Sequence, residues 1–517
     1  MTIYQRKVRE PAGSAGFRTA DILKEDRTVK IADWMQHSGV GFGTSGARGL
    51  VTAMTDAVCC AYTAGYLKHL ATLGEFEPGM RVAVAGDLRP STPRILRACV
   101  AAIAASGGEP VFCGYVPTPA LCLYAFAEGI PSLMVTGSHI PADRNGIKFN
   151  RAHGEFLKQD EAGMRAQEVT LPEGWFDAGG ALVAPVALPP VTEVVPAYVA
   201  RYRAFFGDRA LAGLTLGVYQ HSAVGRDVLM QVVEALGGEA VALGRSESFI
   251  PVDTEAVRAE DAALARGWAA EGRYDAILTT DGDSDRPLLA DRSGTWLRGD
   301  VLGILAARYL GAAAVTTPVS SNTALEKAGF AQEVRRTRIG SPFVVAAMTE
   351  AAEAGIVPSV GYEANGGFLL ASDVTSGGRV LPALPTRDSV LPMLCALVAA
   401  RESDGVEALL RTLPPRFTLS DRLTEMPTAV SQARIAELAA APAAGAARLG
   451  FVAACGAVTD VDETDGLRMR YATGEIIHLR PSGNAPELRV YVEADTPERA
   501  AALLELGIGA VSAWRMG

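Results

Sequence analysis

Hydrophobic and polar positions along the chain fall into one unit that recurs. RVAVAGDLRPST is a short apolar strand running into a polar loop. An amphipathic helix over Pro93–Ala105 follows, and GGEPVFCGY then begins a second strand. Further on, LTLGVYQHSAVGRDVL repeats strand, loop and helix, and GGEAVALGR follows it, so that Gly107-Gly108-Glu109 matches Gly237-Gly238-Glu239. A weaker third copy begins at AAAVTTPVSSNTALEKAG and continues into QEVRRTRIG. Each copy closes with an apolar strand, a loop of small residues and a return strand: PSLMVTGSHIPADRNGIKFN, YDAILTTDGDSDRPLLAD and VPSVGYEANGGFLLASD.

Strands alternating with helices predict βαβ units and largely parallel sheets. In such sheets ligands gather at the loops beyond the strand ends, so three equivalent loops with different polar chemistry predict three walls of one cleft. The last hundred residues differ. Leu488, Val490 and Val492 alternate with Arg489, Tyr491 and Glu493, which predicts an antiparallel sheet, and a final helix is expected over Pro497–Trp514. The Pro-Pro break within Leu413–Arg416 reads as a linker. The expected fold is therefore α/β with four domains around a central cleft: three similar α/β domains with mixed, mainly parallel sheets, then a C-terminal α+β domain. The expected boundaries are an N-terminal extension over 1–40, then 41–190, 191–298, 299–415 and 416–517.

Composition supports several cores, with 517 residues, 49% apolar and 21% charged. A net charge of −10 argues against a nucleic-acid partner but leaves room for a small phosphorylated substrate held by a local basic cluster. The first residues, MTIYQRKVREPAGS, hold no apolar segment of a secretory signal, and no apolar run approaches the roughly 20 residues a bilayer needs. The seven cysteines form no C-x-x-C pair and read as buried thiols of a reducing cytoplasm. A cytoplasmic protein, monomer or homodimer, is expected.

The loops carry the chemistry. Ser138 lies on a turn beside His139, with Lys148 across a hairpin, giving a nucleophile, a proton-transfer partner and a positive charge in one place. The sequence is not G-x-S-x-G, which disfavours an esterase elbow. In the second copy, Asp281, Asp283 and Asp285 alternate along the loop, and their mutual repulsion calls for a cation. Such an oxygen-only set suits Mg²⁺ or Ca²⁺, while Arg286 is placed to hold a phosphate or one of the carboxylates. An EF-hand is excluded, because Arg286 and Arg292 stand where it needs Gly and Glu. In the third copy, Glu363 and Asn365 on a Gly-rich turn suit two vicinal sugar hydroxyls. Near the end, Arg480, Ser482, Gly483 and Asn484 converge on an anion, with Arg489 on the following strand. Gly43-Thr44-Ser45-Gly46-Ala47-Arg48-Gly49 is another Gly-rich segment bearing an Arg, and it is not a nucleoside-triphosphate P-loop.

Together these segments resemble the α-D-phosphohexomutases, a four-domain group that includes phosphomannomutase, phosphoglucomutase and phosphoglucosamine mutase. The resemblance spans roughly residues 41–517 and has five motifs in order: G-T-S-G-A-R-G, T-G-S-H-I-P, D-G-D-S-D-R, E-A-N-G-G and R-P-S-G-N-A-P. It implies that Ser138 carries a phosphate, which completes a Mg²⁺ shell with Asp281, Asp283 and Asp285. It further implies that Arg48 and Lys148 serve as general acid/base and charge stabiliser. Glu363 would bind O3 and O4 of the sugar, and Arg480, Ser482, Gly483 and Asn484 the phosphate that is not reacting. The implied activity is reversible phosphoryl transfer between the 1- and 6-positions of a hexose phosphate, with a hexose 1,6-bisphosphate as intermediate and activator.

Three departures from the family pattern stand out. Ile140 replaces an Asn, Ser284 replaces a Gly that would suit a positive φ, and E-A-N-G-G replaces the common E-x-S-G-H. The last of these fits phosphomannomutase best, with phosphoglucomutase the alternative. A phosphatase using Asp281 as nucleophile is disfavoured, because Asp285 stands where that class has Thr or Val and Ser138 would have no role. A non-catalytic sugar-phosphate-binding protein would have no use for Ser138 beside three aspartates.

Overall fold

The computed structural model describes residues 28–43, 46–482 and 486–516. Three sheets share one strand order. In the first, Glu109–Tyr115, Arg81–Gly86 and Ser132–Val135 lie side by side in parallel, and Arg144–Arg151 returns antiparallel beside the last. The second repeats this with Glu239–Arg245, Thr215–His221, Ala276–Thr280 and Pro287–Ala290. The third uses Glu333–Thr337, Ala314–Pro318, Ser359–Tyr362 and Phe368–Leu370, and adds Leu384–Asp388 at its edge. The first sheet is extended past its return strand by Ala47–Leu50 and Gly41–Phe42, and Gly154–Glu155 pairs with the return strand itself.

The repeated Gly-Gly-Glu has a backbone cause. Gly107 and Gly237 each follow a helix in the left-handed region, at φ 83° and φ 82°, where glycine carries no Cβ penalty. In each sheet the turn between the third strand and its antiparallel return holds one of the polar loops. The equivalence of those loops in sequence is thus an equivalence of topology.

The chain ends in a five-stranded antiparallel sheet ordered Phe417–Leu423, Leu488–Ala494, Ile476–Pro481, Leu467–Tyr471, Val458–Asp462. The final helix runs Pro497–Ser512 and tightens to a 3₁₀ turn over Ala513–Met516. Its start is set by Thr496, whose side chain accepts from the Arg499 N–H, with proline in the first turn.

Packing divides the molecule unequally. One continuous apolar core joins the first three sheets, running from Ala83 and Met134 through Leu216 and Leu278 to Leu394. The last sheet has its own core around Phe451, Ile477 and Leu503. It meets the third sheet's unit through polar contacts: Glu493 accepts from Thr323, and Asp465 accepts from the Ile339 N–H. A unit with a separate core and a polar seam is able to move against the rest.

Residues 29–38, expected as part of an extension, are instead built into a separate apolar cluster on the other face of the first sheet, with Val82, Val84 and Leu133. Val29–Lys30 pairs with Glu168–Val169, and Ile31 and Trp34 of the helix Ile31–Ser38 are buried. That helix is short, and its two anchors are too few to register as a periodic face. Among the described residues no helix is long and apolar enough to cross a membrane.

Candidate active site

The turn after Ser132–Val135 is held from beneath by a buried arginine. Arg89 donates to the carbonyls of Ser138 (2.8 Å), Ile140 (2.5 Å), Pro141 (2.8 Å) and Arg144 (3.0 Å), and its Nε reaches Asp87 at 3.1 Å. Phe249 covers the guanidinium at 4.1 Å. A Cβ on Gly137 would meet Arg89 Cζ at 2.6 Å, so glycine is required there by close approach. Thr136 Oγ1 accepts from the Ser138 N–H and donates to Asp87. Ser138 is thereby fixed at φ 56°, a left-handed conformation rare for serine, and is fully buried.

The Ser138 hydroxyl donates to Asp281 Oδ2 at 2.5 Å, which joins the first loop to the second. His139 takes a different part from the proton-transfer role expected of it. Its Nδ1 is 3.4 Å from Ser138 Oγ but 2.9 Å from Arg286 Nη1. Guanidinium only donates, so Nδ1 is an acceptor already in use. Burial, reinforced by Arg286 and Arg48, pushes the imidazole down to about 2 and keeps it neutral.

Asp281, Asp283 and Asp285 are buried with carboxylate oxygens within 4.8 Å of one another. Asp281 Oδ1 accepts from the backbone N–H groups of Asp285 and Arg286, and burial with two neighbouring carboxylates pushes Asp281 up to about 8. Asp283 Oδ2 accepts from Thr118 at 2.5 Å and from Lys148 Nζ at 2.6 Å. Asp285 Oδ2 accepts from the same Nζ at 2.5 Å and lies 3.0 Å from Arg387 Nε. Oδ1 of Asp283 and Oδ1 of Asp285 are buried with no hydrogen-bond partner among the described residues. Buried, unpartnered carboxylate oxygens beside a serine hydroxyl form a hard-oxygen donor set, and a divalent cation such as Mg²⁺ fits it.

Cations crowd the same volume. Arg48 enters on Ala47–Leu50; its Nη2 is shut off from solvent without a partner among the described residues, and burial with repulsion from Arg286 and Arg387 lowers it to about 10. Arg387, at the end of Leu384–Asp388, stands 3.7 Å from Glu363 Oε2 and so bridges the second loop and the third. A Cβ on Gly367 would meet Arg387 Cδ at 2.7 Å, which accounts for the second glycine of E-A-N-G-G.

Glu363 is buried with Oε2 lacking a hydrogen-bond partner among the described residues, and burial raises its carboxyl. Asn365 turns inward: its Oδ1 accepts from the Gly367 N–H at 3.0 Å, and its carbonyl accepts from Thr254 at 2.7 Å. Its amide oxygen therefore shapes the turn on which Glu363 is presented. In the last unit, Arg480 lies 2.9 Å from Asp465, Ser482 is buried, and Gly483 and Asn484 lie outside the described residues. Arg480, Arg489 and Arg422 are directly opposite one another across three adjacent strands. Like charges so aligned repel, and Asp465 beside Arg480 and Glu487, 3.5 Å from Arg422, offset part of that repulsion.

Sequence reasoning missed Arg89, Asp87, Thr118 and Arg387. Asp87 and Arg89 stand at the end of the first repeat's opening strand, and that position after an apolar strand was their one signal. Thr118 and Arg387 arrive from distant segments, which no local pattern reveals.

Three α/β units of one topology followed by an antiparallel unit, and a serine, three aspartates and a buried glutamate meeting at their equivalent turns, define a phosphosugar-handling enzyme fold. The chain belongs to the phosphoglucomutase/phosphomannomutase family: the family models for its α/β/α domain I, α/β/α domain III and C-terminal domain match residues 39–167, 298–417 and 427–506. It is 45% identical over 479 residues to a phosphomannomutase of Sinorhizobium fredii, covering 92% of this chain and 99% of that one. To a phosphomannomutase of Salmonella muenchen it is 41% identical over 473 residues, covering 92% and 96%. Among solved structures, a phosphoglucomutase/phosphomannomutase family protein of Burkholderia thailandensis shares the fold with a TM-score of 0.68 at 21% identity, covering 92% of this chain and 98% of that one.

Proposed function

We propose that this protein is a phosphohexomutase that interconverts mannose 1-phosphate and mannose 6-phosphate through phosphorylated Ser138. The observation that carries the reading is the 2.5 Å hydrogen bond from the Ser138 hydroxyl to Asp281, inside a ring of aspartates and cations. The identity of 45% and 41% to two phosphomannomutases favours mannose over glucose.

In the forward half-reaction the bond from phosphorus to Ser138 Oγ breaks as a new one forms to the free hydroxyl of the hexose phosphate, giving a hexose 1,6-bisphosphate. The sugar hydroxyl gives up its proton as Ser138 Oγ, the leaving oxygen, takes one up, and we assign the relay of that proton to Arg48, whose lowered affinity for protons suits it better than an ordinary arginine. Lys148 and Arg286 balance charge on the moving group, since phosphoryl transfer depends on alignment and neutralisation more than on covalent steps. Asp281, Asp283, Asp285 and Ser138 would hold Mg²⁺, which supplies positive charge to the transferring phosphoryl oxygens. Glu363 receives sugar hydroxyls, and Arg480, Ser482, Gly483, Asn484 and Arg489 receive the phosphate that is not reacting. The bisphosphate then turns around and returns its other phosphate to Ser138. The last unit, with its separate core, closes over the cleft and keeps water from phosphoserine.

The protein acts as a monomer or a homodimer in this proposal. We keep the four-domain division at residues 190, 298 and 415 as part of this proposal. The test is turnover of mannose 1-phosphate and of glucose 1-phosphate with Mg²⁺ and a trace of the matching 1,6-bisphosphate. A higher kcat/KM for mannose supports the reading. A higher value for glucose reassigns the sugar, and no turnover of either overturns it.

A further inference from the structure

Ser284 lies between two of the metal-loop aspartates, and its backbone is left-handed at φ 57°. Only glycine adopts that region freely, so any other residue there is strained unless its side chain compensates. Here the side chain does. Ser284 Oγ accepts from the Gly225 N–H at 2.9 Å, at the start of the helix Arg226–Ala235. It also lies 2.8 Å from Thr280 Oγ1, and because Thr280 spends its own proton on the Asp281 carbonyl at 3.0 Å, Ser284 is the donor in that pair. The hydroxyl is thus used once as acceptor and once as donor, in a residue only 2% exposed.

The fit is close from both sides. A Cβ on Gly225 would sit 2.7 Å from Ser284 Oγ, so the missing side chain of Gly225 leaves room for the hydroxyl. The main chain of the same residue is held by the third unit: the Ser284 carbonyl accepts from Ser389 Oγ at 2.8 Å. Its neighbour Asp283 is held by the first unit, where the Thr118 N–H donates to the Asp283 carbonyl at 3.0 Å. Contacts from three α/β units therefore converge on two consecutive residues of one turn.

We propose that Ser284 is a positioning residue: its hydroxyl pins the left-handed turn to the Gly225 N–H and thereby sets the spacing of Asp283 and Asp285 for a divalent cation. The proposal rests on the reading that these aspartates hold the metal. Without the hydroxyl the turn keeps its strain and the Gly225 N–H loses its acceptor, so the backbone spacing of Asp283 and Asp285 loosens and their two carboxylates are left tied through Lys148 alone as a shared partner.

The experiment is titration of the full-length protein with Mn²⁺, following free Mn²⁺ by electron paramagnetic resonance, for the wild type, Ser284→Ala, Ser284→Gly and Asp283→Asn, with melting curves taken without metal. Ser284→Ala loses the bond and keeps the strain, so Mn²⁺ binding weakens by roughly tenfold or more. Ser284→Gly loses the bond but sheds the strain, so its binding falls between wild type and alanine; it also remains informative should the alanine variant not fold. Glycine binding Mn²⁺ as tightly as wild type overturns the proposal. So does a lowered melting temperature in both variants with unchanged Mn²⁺ affinity, which would make the hydroxyl merely structural. A wild type that binds no Mn²⁺, or an Asp283→Asn variant that binds it equally well, overturns instead the metal reading beneath.

Discussion

Arg387 and Asp285 are joined at 3.0 Å in the interior, and the same guanidinium stands 3.7 Å from Glu363. One arginine thus ties the aspartate loop of the second unit to the glutamate loop of the third, and both acidic partners are almost wholly shut off from water. Against the cost of burial, Asp285, Glu155 and Glu363 together hold Arg387 firmly protonated.

Replacing Arg387 by Met leaves Asp285 and Glu363 short of a buried counter-charge. Breaking a buried pair by removing one partner costs about 3–5 kcal/mol, so a clear drop in melting temperature is expected. Activity is expected to fall by roughly a hundredfold or more, because the aspartate and glutamate loops lose the arginine that ties them and small misplacement of reacting groups is costly. Arg387→Lys, which keeps the charge but not the two-sided reach, should recover part of both. Melting curves and steady-state kinetics on the two variants check this.

Arg89 touches no reacting atom yet holds four carbonyls of the Ser138 turn. Arg89→Met should free that turn, with faster amide exchange over residues 137–144 and a kcat lowered by roughly tenfold to a hundredfold, since small misplacement of reacting groups is costly. Exchange unchanged from wild type would contradict the assigned role.

The histidines set the acid side of stability. His139 is lowered to about 2, and His221 and His478 to about 4, each chiefly by burial. The folded protein therefore keeps these rings neutral while the unfolded chain protonates them below its ordinary value of about 6.5. Their contribution is complete above that pH and is lost as pH falls toward the folded values, at up to about 1.4 kcal/mol per pH unit for each ring. His139→Gln should lose less stability than wild type between pH 6 and 4 in urea titrations. In the pH–rate profile His139→Gln should not move an acidic limb lying above pH 5, because the ring is already neutral there.

Lys148 is shared by Asp283 and Asp285, and each of these keeps one buried oxygen with no hydrogen-bond partner among the described residues. Saturation with Mg²⁺ at a hundredfold over its dissociation constant should stabilise the protein by about 2.7 kcal/mol, and chelation should reverse it. Lys148→Met, with one counter-charge fewer, should lower the melting temperature most in the chelated protein and less when Mg²⁺ is present. Calorimetry with and without chelator measures both.

How far the sequence reaches into this site can be stated residue by residue. Gly107-Gly108-Glu109 and Gly237-Gly238-Glu239 repeat because the same left-handed turn ends the same helix, so the repeat of fold is legible from sequence. Ser138, Asp281 and Glu363 are legible because each sits at the same turn of that repeat. The part of His139 is not, since neighbouring Ser138 in sequence says nothing of Arg286, which occupies its ring nitrogen at 2.9 Å. Arg387 is illegible for the same reason: nothing local distinguishes a surface arginine from one that the third sheet's edge strand carries inward. The helix Ile31–Ser38 escapes notice because two buried side chains make no period.

Phosphorylation of Ser138 is tested most directly by intact-mass spectrometry with peptide mapping after incubation of the metal-loaded protein with a hexose 1,6-bisphosphate. One phosphoryl group is expected, located on Ser138, that disappears when mannose 1-phosphate or mannose 6-phosphate is added without bisphosphate, and no labelling or turnover is expected for Ser138→Ala. Normal turnover by Ser138→Ala, or a phosphoryl group found on an aspartate instead, would contradict that expectation.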